Sequence, residues 1–186
     1  MHGYKGEIVV DVNIGMSDKM FDEVPVPGKK VYARGDWKDY AIHDDKNIKG
    51  FFGEYRWLSN FYACEVWFDG MMYPSTEAAY QASKTLNLEL RKPFTCMSHR
   101  DAKKGGNILP LRSDWEKVKS EIMAAVVFDK FYRDTDLRKR LMDTGDKYLE
   151  ETNHWNDCTW GVCGNKGENR LGKILMNIRS FWKNLP

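Results

Sequence analysis

"EVWFDGMMYPSTEAAYQASKT", residues Glu65 to Thr85, changes character halfway along. Two short strand-like pieces flank Asp69-Gly70, the dipeptide that favours a tight hairpin turn. Pro74 is expected to stop the second piece, because proline cannot donate to a strand ladder. Ser75 or Thr76 then offers an N-cap, which predicts a helix from there to about Leu86. Residues seven apart on a helix are rotated by about 700°, close to two full turns. Glu77, Gln81 and Lys84 therefore line up on one face, with Tyr80 beside them. Helices that carry surface ion pairs place the charges three or four residues apart. This helix does not, so its acid and amine are candidates for chemistry as well as for a solvated face.

Downstream the chain reads as helices. Ser98 and Asp101 suggest a capped start that Gly105-Gly106 closes. Ser113-Asp114-Trp115-Glu116 reads as a capping box, opening a long helix with Trp115, Val118, Ile122 and Ala125 on one face. Leu137 and Leu141 share a face of a short helix. From about Asn169, residues Leu171, Ile174, Leu175, Ile178, Phe181 and Trp182 form an apolar stripe at helical spacing. Upstream, residues 1–46 differ in texture: "GEIVVDVN" reads as a strand and "VPVPGKKVYARG" as a loop or edge strand. They are taken as an N-terminal extension, a hairpin laid against a main domain over 47–186. The fold class is α+β: one helix-rich domain with a few short strands in the first 75 residues and one near Tyr148.

Bulk properties narrow the function. The chain has 186 residues, 42% hydrophobic and 30% charged, a globular composition. A net charge of +2 lacks the basic excess of a dedicated nucleic-acid binder but allows one nucleotide or a strand end to bind. Cys64, Cys96, Cys158 and Cys163 show no zinc-knuckle spacing, and His154, Cys158 and Cys163 lack a fourth ligand. No metal or other cofactor is expected, and free thiols suit a reducing compartment. No signal peptide is read, and no apolar run approaches the roughly 20 residues of a membrane span. The expected location is cytoplasmic.

Two further segments offer chemistry. "DCTWGVCGNKGENRLGK", Asp157 to Lys173, spaces Gly161, Gly164 and Gly167 by three and leads into the last helix. Glycines let a ligand approach the backbone, and a helix N-terminus attracts phosphate. Asp157 and Trp160 add a carboxylate and a stacking ring, and Asn169 stands at the helix start. Gly167-x4-Gly172-Lys173 imitates a phosphate loop, but Ile174 occupies the position where magnesium needs Ser or Thr, so a nucleoside-triphosphate loop is excluded. In "FFGEYRWLSNFY", Ser59, Asn60 and Phe61 form an irregular loop whose amide can bind a ligand or cap a turn.

Together, "FGEYRWLSNFY", "DGMMYPSTEAAYQASKT", "AKKGGN", "LRSDWEKVKSEIM", "KF" and "LMDTGDKYLEETNHWNDCTWGVCGNKGENRLGKILMNIR" resemble the NADAR family, in the family's order over about residues 48–182. The resemblance implies an N-glycosidase with a YbiA-like fold. Its ligand would be built from ribose phosphate or ADP-ribose, joined to a base such as ADP-ribosylated guanine or an early riboflavin-pathway intermediate. Glu77 matches the helix acid, Lys84 the helix lysine, Asn60 the loop amide, and Asp157-x2-Trp160-Gly161 the later motif. One departure is Ala78, where the family often has His. If that His helps bind substrate, this member is slower or takes a different one.

N-glycosides break through a positively charged ribosyl centre, which a carboxylate stabilises while an acid helps the base depart. Glu77, Lys84 and Asp157 are the catalytic candidates. A lysine can capture an opened sugar as a Schiff base if burial lowers its pKa. Ser59, Asn60, Phe61, Tyr80, Trp160, Gly161, Gly164 and Asn169 are the binding candidates. The expected partner is a small nucleotide or an ADP-ribosylated base, free or within nucleic acid. The alternative is a module that binds ADP-ribose without cleaving it, which would need the rings and glycines but not Glu77 and Lys84 together.

Overall fold

The structure, a computed structural model, describes residues 41–185; the strand and hairpin expected over the first 40 residues lie outside the described residues. Three small sheets and six helices follow. β1 (Ile42–His43) pairs antiparallel with β2 (Asn47–Lys49), which runs parallel to β5 (Tyr148–Glu150). β3 (Ala63–Phe68) and β4 (Met71–Ser75) form the expected hairpin. β6 (Thr152–Asn153) lies parallel to β7 (Val162–Cys163). The helices are α1 (Thr76–Ala82), α2 (Leu88–Arg91), α3 (His99–Gly106), α4 (Trp115–Arg133), α5 (Thr135–Asp143) and α6 (Arg170–Lys183). The strand expected near Tyr148 is β5, while β6 and β7 went unread because two-residue strands carry no periodicity. The residue-46 boundary falls within the β1–β2 turn.

The hairpin turns on Asp69 (φ 48°) and Gly70 (φ 82°), the paired positive φ values of a type I′ turn. β4 runs through Pro74 to Ser75, past the expected stop. The ladder is irregular between Ala63 and Val66, and Pro74's missing N–H falls in that irregularity. Ser75 caps α1 by accepting a hydrogen bond from the Ala78 amide.

α1 is shorter than expected, ending at Ala82 instead of near Leu86. Other partners take the following backbone groups. The Ser83 hydroxyl donates back to the Ala79 carbonyl, the Lys84 carbonyl accepts from the Arg112 amide, and the Thr85 carbonyl accepts from Arg91 Nε. All seven residues of α1 are buried, so the solvated-face reading fails. The helix is short and made of small residues because it lies inside the molecule, packed on α3, α4 and the hairpin.

α4 supplies the other wall of the core. Its buried residues are Trp115, Ile122, Met123, Val126, Val127, Lys130 and Phe131. The expected face was rotated too far, for Ala125 is exposed. Asp114 is the N-cap position, but its carboxylate holds Arg112 and makes no cap bond, so the expected box does not form. Ser98 caps α3 as read, and Leu137 and Leu141 are buried on α5. On α6, Leu171, Leu175 and Ile178 are buried, while Phe181 at the far end is about half exposed. Gly172 lies where a Cβ would stand 2.2 Å from the Leu149 carbonyl oxygen, which lets α6 rest against β5.

Candidate active site

Glu77 sits one residue into α1. Its backbone N–H donates to the Asn60 carbonyl, pinning the Ser59–Phe61 loop to the helix start. The carboxylate is 4% exposed as a residue, and two donors converge on its Oε1: Gln81 Nε2 at 2.8 Å and Lys103 Nζ at 3.5 Å. Lys84 lies just past the C-cap of α1, not within the helix. Its ammonium donates to the Gly106 carbonyl at 3.1 Å. Burial lowers its pKa, Lys103 lowers it further, and Glu77 opposes both. Lys103 therefore has two effects: it neutralises Glu77 and favours the free amine of Lys84.

Aromatic rings lie near Glu77, whose charge acts on the Tyr80 phenol. Tyr80 is buried, with Trp115 at 5.1 Å and Trp160 at 5.5 Å between centroids. Burial pushes the Tyr80 phenol up, so the hydroxyl keeps its proton at neutral pH. On another side Phe61 meets His99 at 4.7 Å, with the Arg56 guanidinium above the Phe61 ring at 5.9 Å. Burial, then Arg56, lowers the His99 pKa and favours the neutral ring. The Ser59 hydroxyl accepts from the Phe61 amide, Asn60 Nδ2 reaches Met123 Sδ at 3.3 Å, and the Ser59 carbonyl accepts from Lys130 Nζ at 3.0 Å.

The glycine-rich segment is built differently from its reading. Asp157 Oδ1 accepts from the Thr159 and Trp160 amides, so the carboxylate shapes the turn that presents Trp160. The Arg170 and Leu171 amides, at the start of α6, already bond the Thr159 and Trp160 carbonyls. That helix terminus is thus occupied by its own loop, which corrects the expectation of phosphate there. Asn169 is 2% exposed, and its side chain joins the Leu149 carbonyl, the Tyr148 hydroxyl and the Glu151 amide. Gly164 and Asn165 both take positive φ inside a turn closed by two backbone bonds between Cys163 and Lys166. A Cβ on Gly161 would stand 2.1 Å from the Glu151 carbonyl oxygen. Gly161→Ala is therefore expected to cost about 1–3 kcal/mol through overpacking. Thermal unfolding should show the loss, and an unchanged melting temperature would contradict the close approach.

Three charged groups here went unread. Glu151, following β5, has an enclosed Oε2 with no hydrogen-bond partner. Burial raises its pKa to about 8; Arg56 and Lys130 oppose the shift, and Asp157 and Glu77 reinforce it. Lys130 is 1% exposed, and burial pushes its ammonium down to about 8. Arg56 lies on the 3-10 turn Gly53–Leu58. Lys130 left a signal: it occupies a core position in the stripe Ile122, Met123, Val126, Val127, Phe131. Glu151 left almost none, because adjacent Glu150 and Glu151 look alike in sequence.

The raised Glu151 pKa makes a stability prediction. The folded chain holds a proton that the unfolded chain releases above the ordinary value of 4.5. This contribution is fully favourable below about 4.5 and is lost as pH rises towards about 8. Denaturant titrations at pH 5 and pH 8 should show wild type losing stability relative to Glu151→Gln across that interval. Parallel curves would contradict it.

The family model for the NADAR domain matches residues 48–182. The chain belongs to the NADAR family. It is 36% identical over 135 residues to N-glycosidase YbiA of Escherichia coli, covering 68% of this chain and 81% of that protein. It is 35% identical over 128 residues to a riboflavin biosynthesis protein of Vibrio vulnificus, covering 66% of this chain but spanning only 34% of that protein. The solved NMR structure of E. coli YbiA superposes with a TM-score of 0.66 at 33% identity, covering 77% of this chain and 88% of that one. The YbiA-like α+β fold read from the sequence is the fold found. All of the residues discussed around Glu77 lie inside the NADAR match.

Proposed function

We propose that this chain is an N-glycosidase that splits a base from a ribose phosphate or ADP-ribose moiety. The observation that carries the reading is the buried Glu77 on α1, whose charge acts both on the Lys84 amine, its pKa lowered by burial, and on Tyr80, which packs against Trp115 and Trp160. Burying a carboxylate is costly, and a purely structural helix would fill that position with an apolar residue. The relatives named N-glycosidase support the same chemistry.

In the proposed reaction Glu77 faces the sugar and stabilises positive charge at C1′ as the C1′–N bond lengthens. The bonding pair leaves with the base nitrogen, which takes up a proton. The Lys84 amine, as the free base, adds to the C1′ cation; the C1′–O4′ bond then breaks, O4′ takes a proton from the nitrogen, and an iminium to C1′ remains. Water then adds to that carbon, restores the amine and releases the sugar, so the sum is one water consumed per C–N bond broken. Trp160 and Tyr80 stack on the base, while Asn60 and Phe61 contact the sugar side. Asp157 acts through Trp160, whose amide it holds.

ADP-ribosylated guanine and ribosylamino-pyrimidines of riboflavin synthesis are the proposed substrates, and the riboflavin name of the Vibrio relative favours the second. Among the described residues no cluster of His, Cys, Asp and Glu suits a metal, and the proposed route uses none. The four cysteines are free, which suits a reducing cytoplasm, and no described helix is long and apolar enough to cross a membrane. Competition separates the sugar halves. Ribose 5-phosphate and ADP-ribose are compared as inhibitors of base release, and the tighter one identifies the natural moiety. If neither inhibits, the sugar assignment is wrong.

A further inference from the structure

The charge of Glu77 acts on Glu151, yet the two carboxyl groups have different surroundings. Glu77 Oε1 receives two donors, the amide of Gln81 and the ammonium of Lys103. Glu151 Oε2 is enclosed and receives none. A buried carboxylate oxygen without a donor is costly. A protonated carboxyl in the same place is instead a hydrogen-bond donor awaiting an acceptor. A nucleobase nitrogen is such an acceptor.

Charges from four parts of the fold act on Glu151. Arg56 comes from the 3-10 turn, Glu77 from α1, Lys130 from α4, and Asp157 from the loop between β6 and β7. The backbone also fixes the residue. Its amide donates to Asn169 Oδ1, and its carbonyl accepts from the Val162 amide. The close approach of Gly161 holds the strand from the other side. Asn169 and Gly161 thus act as positioning residues for Glu151.

We propose that Glu151 is the acid of the reaction, donating its proton to the base nitrogen as the C1′–N bond breaks. This rests on the glycosidase reading above. The electron pair of the C1′–N bond moves to the base nitrogen, and the Glu151 proton completes a neutral leaving group. Glu151 is left as a carboxylate. When water adds to the sugar carbon, its hydroxyl stays there and its proton returns to Glu151, closing the cycle. Carboxyl groups whose environments push their pKa values apart are the usual signature of divided acid and base roles. The burial that holds the Glu151 proton to about pH 8 keeps the acid form populated at neutral pH.

The test is the pH dependence of base release by wild type, Glu151→Gln and Glu151→Asp. Two ribosides are used: one with an ordinary amino-base, and one whose base carries an electron-withdrawing nitro group and departs without protonation. Wild type should lose activity on the ordinary riboside as pH rises through about 8. Glu151→Gln should lose about 10²–10⁴-fold on that substrate and lose the alkaline fall, yet keep most of its rate on the nitro substrate. Glu151→Asp, which keeps an acid, should retain the alkaline fall at reduced rate. Equal losses on both ribosides, or an alkaline fall unchanged in the Gln variant, would overturn the assignment and leave the glycosidase reading standing. Wild type that releases base from neither riboside would overturn both.

Discussion

Glu77→Gln should reduce base release by about 10²–10⁴-fold and leave the fold intact. The substitution changes charge with almost no change of shape. Gln81 Nε2 can still donate to the side-chain oxygen at this position, and the bond from the residue 77 amide to the Asn60 carbonyl belongs to the backbone. The loss falls on the ion pair with Lys103, whose side chain is 53% exposed, and such exposed partners contribute no more than about 1 kcal/mol. Melting temperatures of variant and wild type should therefore agree within a few degrees. Activity should collapse because no other group placed against the sugar carries the negative charge that the developing cation needs. A variant that unfolds would show that Glu77 serves stability, and one that retains full rate would remove it from the mechanism.

Lys84→Met should abolish the covalent adduct trapped by borohydride during turnover and slow base release by about a hundredfold or more. Methionine keeps much of the buried stem and loses the amine. Burial and Lys103 both favour the neutral amine, so wild-type trapping should grow as pH rises through the lowered Lys84 pKa. Lys103→Glu should then reduce trapping near neutral pH, because it replaces a repelling cation with an anion. Peptide mapping should place a sugar-sized mass on Lys84. If wild type gives no adduct and Lys84→Arg keeps full rate, Lys84 is a phosphate contact, and water is the nucleophile at C1′.

Elements that carry a local signal were legible in sequence. Asp69-Gly70 demands positive φ, Ser75 and Ser98 cap as their chemistry suggests, and Leu171, Leu175 and Ile178 repeat at helical spacing. The end of α1 was not legible. It depends on the Arg112 amide, 28 residues further on, which bonds the Lys84 carbonyl, and on the Arg91 side chain, which folds back to the Thr85 carbonyl. The alignment of Glu77 with Lys84 on one helix was therefore only partly right: Glu77 lies in the first turn of α1, but Lys84 follows the helix. Arg56, Lys130 and Glu151 were missed for a related reason. What distinguishes them is desolvation, and burial of a single charge is a tertiary property. Of the three glycines read as a phosphate cradle, Gly161 and Gly167 answer to close backbone packing and Gly164 to a turn. The same residue type meets all three demands, so spacing alone could not separate them.

The most direct measurement is mass-spectrometric detection of free base after incubating the wild-type chain with ADP-ribosylated guanosine and with a ribosylamino-pyrimidine phosphate. The account predicts that at least one of them yields free base and free sugar in equal amounts, and that Glu77→Gln yields neither. Tight binding of ADP-ribose by wild type with no base released from either compound would contradict it and leave a non-catalytic nucleotide-binding module.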